Sequence, residues 1–403
     1  MSPLDGIRVV DLTRYLAGPM TAMMLGDLGA DVVKIEPLPS GDAARQSGPF
    51  AGGESVYYMA SNRNKRSVAL DLRSEDGIEV LLRLLDTADV FIENFRPGTA
   101  DKMGLGHEAL HARNPRLVYV SISGFGNTAS GRDLPGFDQT VQAMSGLMSV
   151  TGTEESGPMR AGIAIADAGT GSFATMGVLA ALLERERTGR GTVVEASLMQ
   201  SMLTLINYQA QAVLSLDVVP GPVGNDHPIM FPQGTFKAGS GAVTIACGNE
   251  KMWRRLCEAI GLDDFAEDPR YCTNAGRMEH RKVLRALIEE ALEKRSAQEW
   301  ISIINESGVP CGPVLNLKEA LALDQTRELG LIQQVQHPLL GEMAVLGKAV
   351  KVGDDSRDIR RHPPLLGEHT QEILSELGYS DSDIEALCAA GAAADARLEV
   401  SGR

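Results

Sequence analysis

Short apolar runs alternate with longer amphipathic stretches through the first 200 residues. "IRVVDL" (7–12) reads as a strand, and "GPMTAMMLGDLGA" after it places its apolar residues at helical spacing. "DVVKIE" and "SVALDL" are further strands, and "SEDGIEVLLRLLDTA" is a helix with Ser74 as its cap. "DVFIENF" and "RLVYVSISGFG" complete the series. Strands bounded by turn residues and separated by helices imply right-handed crossovers and a largely parallel sheet. Ligands bind such sheets beyond the strand C-termini, so "DLTRYLAGP", "NFRPG" and "SISGFG" fall on the expected binding edge.

A helix is expected after Asp167, running to about Arg187, stopping at "TGRG" and leading into the strand "TVVEASL". The texture then changes. "VVPGPVGNDHPIMFPQG" is rich in Pro and Gly and gives a linker over 221–235. A smaller α+β domain is expected over 236–312, with strand "AVTIA" and helices around Trp253, over 283–294 and over 297–305. The last opens on a Ser296–Glu299 capping box. Residues 313–403 resume mixed patterns and are expected to return to a large Rossmann-like α/β domain begun by 1–220. The Ala-rich end, "CAAGAAADARLEV", is expected to fray.

Composition narrows the chemistry. The chain has 403 residues, 43% hydrophobic and 23% charged, as in a globular protein. A net charge of −15 argues against nucleic acid, whose backbone needs clustered Lys and Arg. No apolar run reads as a membrane span, and "MSPLDGIRVV" lacks signal-peptide features, which gives a cytoplasmic expectation. Cys247, Cys257, Cys272, Cys311 and Cys388 form no CxxC pair and are expected to be reduced and buried. His107 and His111 sit four apart on a helical stretch but lack a third ligand, so no metal site is expected. The turn after the first strand has no GxGxxG, and GxSxG and HExxH are missing, which argues against NAD, serine-hydrolase and zincin chemistry.

Asp167 is the remaining candidate. It is either the cap of a helix starting near Gly169 or a reactive carboxylate. The preceding "AGIAIA" has no Lys or Arg to hold it inert, and the following "AGTG" could bare backbone N–H groups toward an oxyanion. A carboxylate so placed can attack an activated acyl group.

Taken together, "LDGIRVVDLTRYLAGP", "LGADVVKIE", the Gly41–Asp42 pair, "NKRSVALDL", "ENFRPG", "IADAGTG", "LLERERTGRG", "GVPCGPV" and "PLLGEHT" resemble the class III coenzyme A transferases, a group that includes alpha-methylacyl-CoA racemase. The resemblance implies acyl-CoA as substrate, no permanently bound cofactor, an interlocked homodimer and Asp167 as covalent nucleophile. Leu16 and Ala17 match the turn against the nucleotide end of CoA, and Leu70 and Arg73 the residues flanking adenine and phosphates. Asn94 and Phe95 match the pantetheine wall, and Lys102 and Met103 a basic–apolar pair at the phosphates.

Departures from the pattern are informative. Leu16 stands where formyl-CoA transferase has glutamine, and "PGPVGNDHPIMFPQG" offers no counterpart of its glycine-rich loop, which argues against formyl-CoA and oxalate. Pro37 stands where it has arginine, which removes one expected adenine or phosphate contact. Racemases place a histidine before an aspartate where this chain has Phe137 and Asp138. A two-base proton transfer then lacks a partner. The expected reaction is CoA transfer from an acyl-CoA, with succinyl-CoA as donor, to a small carboxylic or dicarboxylic acid whose distal carboxylate Arg14 or Arg45 could bind. The alternatives are an acyl-CoA racemase or epimerase and a non-catalytic acyl-CoA-binding protein.

Overall fold

A computed structural model describes residues 2–354 and 358–395. The chain forms two compact units. The larger comprises residues up to Leu147, Arg160–Val219 and the chain from Gln325 onward; the smaller comprises Met148–Met159 and Pro220–Asp324.

The larger unit is built on strands β1 (Arg8–Leu12), β2 (Asp31–Pro37), β3 (Lys65–Leu70), β4 (Val90–Glu93), β5 (Val118–Ser123) and β6 (Val193–Ser197). They lie parallel in the order β6-β5-β4-β1-β2-β3, and a short strand, Ala393–Ala394, adds antiparallel to β3. Successive residues point to opposite faces. Val10, Val33, Val68 and Phe91 enter one apolar layer, and Val9, Val32, Val90 and Ile92 the other. Both faces are covered, so the strands read as nearly continuous hydrophobic runs. The first layer is closed by helix α2 (Glu75–Asp86), whose Val80, Leu81, Leu84 and Leu85 are buried and whose first turn Ser74 caps. Each such leucine contributes roughly 1.5–3 kcal/mol.

The second layer is closed by α1 (Ala17–Asp27) and, further along the chain, α4 (Ile165–Thr188). Between them in sequence lies α3 (Asp138–Met144), and after them α5 (Leu198–Ile206) and α6 (Tyr208–Leu216). By length and composition α4 could cross a membrane, which corrects the expectation that no run could. Its Ala166, Ala174, Val178 and Leu182 are buried in the layer over the sheet, as in a core helix. Close packing explains the small residues near Asp167. A Cβ at Gly171 would stand 3.0 Å from the Ala17 carbonyl and 3.1 Å from Met20, and Thr21 Oγ1 donates to the Gly171 carbonyl at 3.3 Å. The backbones of α1 and α4 meet there.

The Ala-rich end is not frayed as far as Asp395. Helix Asp381–Ala389 runs into it and Ala393–Ala394 pairs with β3, because those alanines cover the otherwise open sheet edge. The rest of that stretch lies outside the described residues.

The smaller unit holds an antiparallel sheet of β7 (Gln233–Lys237), β8 (Ala242–Ala246) and β9 (Cys311–Pro313) with helices α7 (Glu250–Ile260), α8 (Arg281–Leu292) and α9 (Ala297–Glu306). The Ser296–Glu299 capping box is present at α9. Trp253, Phe236 and Ile288 anchor its core. Among the cysteines, only Cys247 and Cys257 are buried; Cys272, Cys311 and Cys388 are half-exposed.

Candidate active site

The strand order reverses between β1 and β4, so the turns leaving these strands diverge around a crevice. A cavity of about 360 Å³ lies there. Arg14, Tyr15, Leu16 and Ala17 come from the first turn, Asn94 and Phe95 from the second, and Asp167 from the start of α4.

Each turn is held by specific bonds. Asn94 Oδ1 accepts the Arg14 N–H at 2.9 Å and its Nδ2 donates to the Arg14 carbonyl at 2.8 Å, much as a neighbouring strand would. Tyr15 sits in the left-handed region at φ 66°, a conformation that costs a non-glycine residue roughly 1 kcal/mol. Its N–H donates to Asp42 Oδ1 at 3.1 Å, which fixes it. Lys34 Nζ donates to the Thr13 carbonyl at 2.9 Å and pairs with Asp42 at 3.0 Å. Asp11 accepts from the Thr13 N–H at 3.0 Å and from Lys65 Nζ at 2.8 Å. Asp11, Lys34 and Lys65 have no solvent exposure. Burial alone would raise the Asp11 pKa, but Lys34 and Lys65 outweigh it and hold it below the usual range.

Arg45 belongs to this buried layer, which corrects the expectation that it could bind a substrate carboxylate. Its guanidinium forks onto Glu36 at 2.6 and 2.7 Å and lies over the Tyr58 ring. Burial opposes ionisation of Glu36, yet Arg45 brings its pKa down to about 2. Arg14 differs. Its guanidinium stands over the Phe95 ring at 5.6 Å, and among the described residues neither Arg14 nor Arg96, which lines the same cavity, has an ion-pair partner.

Asp167 is the third residue of α4, not its cap; the helix begins two residues earlier and Ala164 occupies the cap position. The "AGTG" amides are therefore inside the helix, where Ala168 N–H already donates to the Ala164 carbonyl at 3.0 Å, and they cannot receive an oxyanion. Burial, with Asp138 adding to it, pushes the Asp167 pKa up to about 7. Tyr57 faces it across the cavity, its pKa raised to about 12 by burial and then by the Asp167 charge.

Of the positions assigned from the sequence, Leu16, Ala17, Asn94, Phe95 and Asp167 share this cavity. Leu70, at the end of β3, is fully buried in the core. Arg73 is exposed and paired with Asp71. Lys102 is exposed at the end of the short helix Thr99–Lys102, and Met103 packs against the core. These four do not line it. Phe137 does, edge-on to Tyr15 at 6.0 Å. The sequence pattern puts "NFRPG" and "SISGFG" on this edge without marking Arg96 or Ser123, and it gives no sign of Tyr57, which sits on a four-residue helix with no periodic signal. Gly124 and Gly136 touch so closely that a Cβ on either would strike the other's backbone, which accounts for the first glycine of "SISGFG" and the glycine of "PGFDQT". His111 of the histidine pair donates to the Leu117 carbonyl at 2.9 Å.

Residues 4–370 match the family model described as CoA-transferase family III. The chain belongs to that family. It is 36% identical over 393 residues to the human succinyl-CoA:glutarate CoA-transferase, covering 97% of this chain and 90% of that protein. It is 38% identical over 382 residues to the acetyl-CoA:oxalate CoA-transferase of Acetobacter aceti, covering 94% and 97%. The crystal structure of a CAIB/BAIF family protein from Brucella suis, 36% identical, superposes with a TM-score of 0.83 over 93% of this chain and 99% of that one. This family III member is thus a CoA-transferase, an enzyme acting on CoA thioesters, and its parallel-sheet unit is the fold of its solved relatives.

Proposed function

We propose that this enzyme moves CoA from succinyl-CoA, or a close analogue, to a small dicarboxylic acid through a covalent intermediate on Asp167. The observation that carries the reading is a half-buried carboxylate in the switch-point cavity that, among the described residues, pairs with no cation. A weakly stabilised carboxylate is the better nucleophile. Asp167 attacks the thioester carbonyl, the C–S bond breaks, and CoA leaves as thiolate from a mixed aspartyl–acyl anhydride. The thiolate attacks the aspartyl carbonyl, releasing the donor acid and leaving an aspartyl-CoA thioester. The acceptor carboxylate then displaces the thiolate, and its return to the acceptor acyl group frees Asp167. Each step exchanges one acyl bond for another, so neither ATP nor a net proton is needed.

The unpaired Arg14 supports a second carboxylate on the acceptor, since guanidinium binds carboxylate in a two-pronged fork. So do relatives named for glutarate, mesaconate and D-citramalate. The test is a panel of acids offered with succinyl-CoA, followed by borohydride reduction of enzyme held with donor alone. Transfer to dicarboxylates and a reduced residue at 167 are expected; transfer with no modification at 167 would refute the intermediate.

We propose too that the chain works as an interlocked homodimer, as its resemblance to the family implies. Exposed Leu203 and Leu205 on α5 and Leu214 and Leu216 on α6 support a covered apolar face. Two differently tagged preparations, mixed natively, should form no heterodimer over hours. Fast exchange or a monomer in solution contradicts interlocking.

A further inference from the structure

Helix α4 starts without a capping side chain of its own, because Ala164 stands at the cap position. The first N–H groups of a helix need partners from elsewhere. They find them on α3. Asp138 Oδ1 accepts from the Ala166 N–H at 2.8 Å and from the Asp167 N–H at 3.4 Å. One turn along α3, the buried Gln142 donates from Nε2 to Asp138 Oδ2 at 2.6 Å and to the Ile163 carbonyl at 3.2 Å, and its Oε1 accepts from the Ala161 N–H at 2.8 Å. This i, i+4 pair therefore binds four backbone groups between residues 161 and 167.

The consequence concerns charge as well as shape. An aspartate at the third position of a helix is normally stabilised as an anion by the free N–H groups and the positive end of the dipole. Here a second carboxylate has taken those N–H groups and set its own negative charge beside the first.

We propose that Asp138, braced by Gln142, is a positioning residue that fixes the first turn of α4 and withholds anion stabilisation from Asp167, keeping it nucleophilic. The inference rests on the proposed role of Asp167. The elevated Asp167 pKa agrees with it: burial is the larger cause and Asp138 the second. The other titratable or charged groups lining the cavity are Tyr57 from the helix Val56–Met59, Arg14 and Tyr15 from the turn after β1, and Arg96 from the turn after β4.

Asp138→Asn tests it, because the amide keeps an oxygen for the Ala166 N–H and loses the charge. The acid limb of the kcat profile should move down by roughly one pH unit. Above the limb kcat should fall about threefold, following the lower basicity of Asp167, with KM for succinyl-CoA within about twofold of wild type. Asp138→Ala, lacking the acceptor as well, should lose further activity and melt at lower temperature; if it does not fold, the Asn variant carries the test. An unmoved acid limb in Asp138→Asn, with activity loss that tracks thermal stability, overturns the proposal and leaves Asp138 a structural cap. Borohydride labelling of wild type separates the two failures. Label at 167 with an unmoved limb sinks only the positioning role, and no label sinks the nucleophile itself.

Discussion

Two regions of the larger unit are dense in charge, and they treat it in opposite ways. In the layer beneath the β1 turn, Asp11, Glu36 and Asp42 each meet a lysine or arginine within 3.0 Å, and the pKa values of Asp11 and Glu36 fall despite burial. In the cavity above, Asp167 has a carboxylate for a neighbour and its pKa rises, while Arg14 has an aromatic face and no acid. Desolvation alone does not distinguish reactive from structural charge; the partner does. A paired buried ion holds backbone in place, as Lys34 holds the Thr13 carbonyl. A half-buried ion denied its counter-ion, as Asp167 and Arg14 are, is left with interaction energy for substrate.

The largest effect is expected from removing the unpaired carboxylate. Asp167→Asn should lower kcat for CoA transfer by about three orders of magnitude or more, since an amide cannot form the anhydride. Binding of free CoA, measured by calorimetry, should stay near wild type. Turnover within tenfold of wild type would make Asp167 a structural residue like those below it.

Removing a charge from the paired layer should act on folding instead. Arg45→Met leaves Glu36, wholly buried, without a paired cation, holding the Tyr58 and Ser67 hydroxyls and the Asp42 N–H, with only the charge of Lys34 acting from a greater distance. Breaking a buried pair from one side costs about 3–5 kcal/mol. Urea unfolding should show that loss, with the acid specificity of whatever enzyme remains folded unchanged. A stable variant with altered acceptor preference would return Arg45 to the substrate site.

Arg45 also shows where sequence reading stops. Strand and helix periodicity located all six parallel strands and helices α1, α2 and α4, because burial on both sheet faces leaves long apolar runs. The binding edge followed from chain order, and with it Leu16, Ala17, Asn94 and Phe95. Pairing across the sheet was invisible. Arg45 and Glu36 are nine residues apart with no local spacing that joins them, and Asp138 caps a helix 28 residues downstream. The glycines after Asp167 read as exposed amides, whereas they are helix contacts, Gly171 against α1 and Gly169 against α5, that need the positions of those helices to be understood. Leu70 and Arg73 are neighbours in sequence, but a strand end buries one and exposes the other.

A smaller effect is expected from the unpaired cation. Arg14→Gln keeps the Arg14 backbone clasped by Asn94 while removing the guanidinium. KM for a dicarboxylic acceptor should rise about tenfold, the worth of one charge-assisted contact of about 1.4 kcal/mol. KM for a monocarboxylic acid and the affinity for free CoA should hardly change. An equal loss with both acids, together with weaker CoA binding, would assign Arg14 to the CoA phosphates.

The smallest effect is on stability, and its sign separates the two regions. The folded-state pKa of Asp167 lies near 7, above the 3.8 of an unperturbed aspartate, so the folded protein holds that proton more tightly. Stability from this group therefore falls as pH rises from about 4 to about 7, and stays at its lower value above. Glu36 works the other way: depressed to about 2, its stabilisation is complete above its ordinary 4.5 and is lost as pH falls through 2. Asp167→Asn should accordingly match wild type near pH 4.5 and exceed it by about 1 kcal/mol at pH 8, after allowance for the part of the carboxylate that meets solvent. Thermal melts of both proteins at pH 5, 6, 7 and 8 read this directly, with the gap widening across the series. A gap that stays constant, or that narrows with rising pH, means Asp167 has found a cation in the folded enzyme and belongs with the paired charges beneath it.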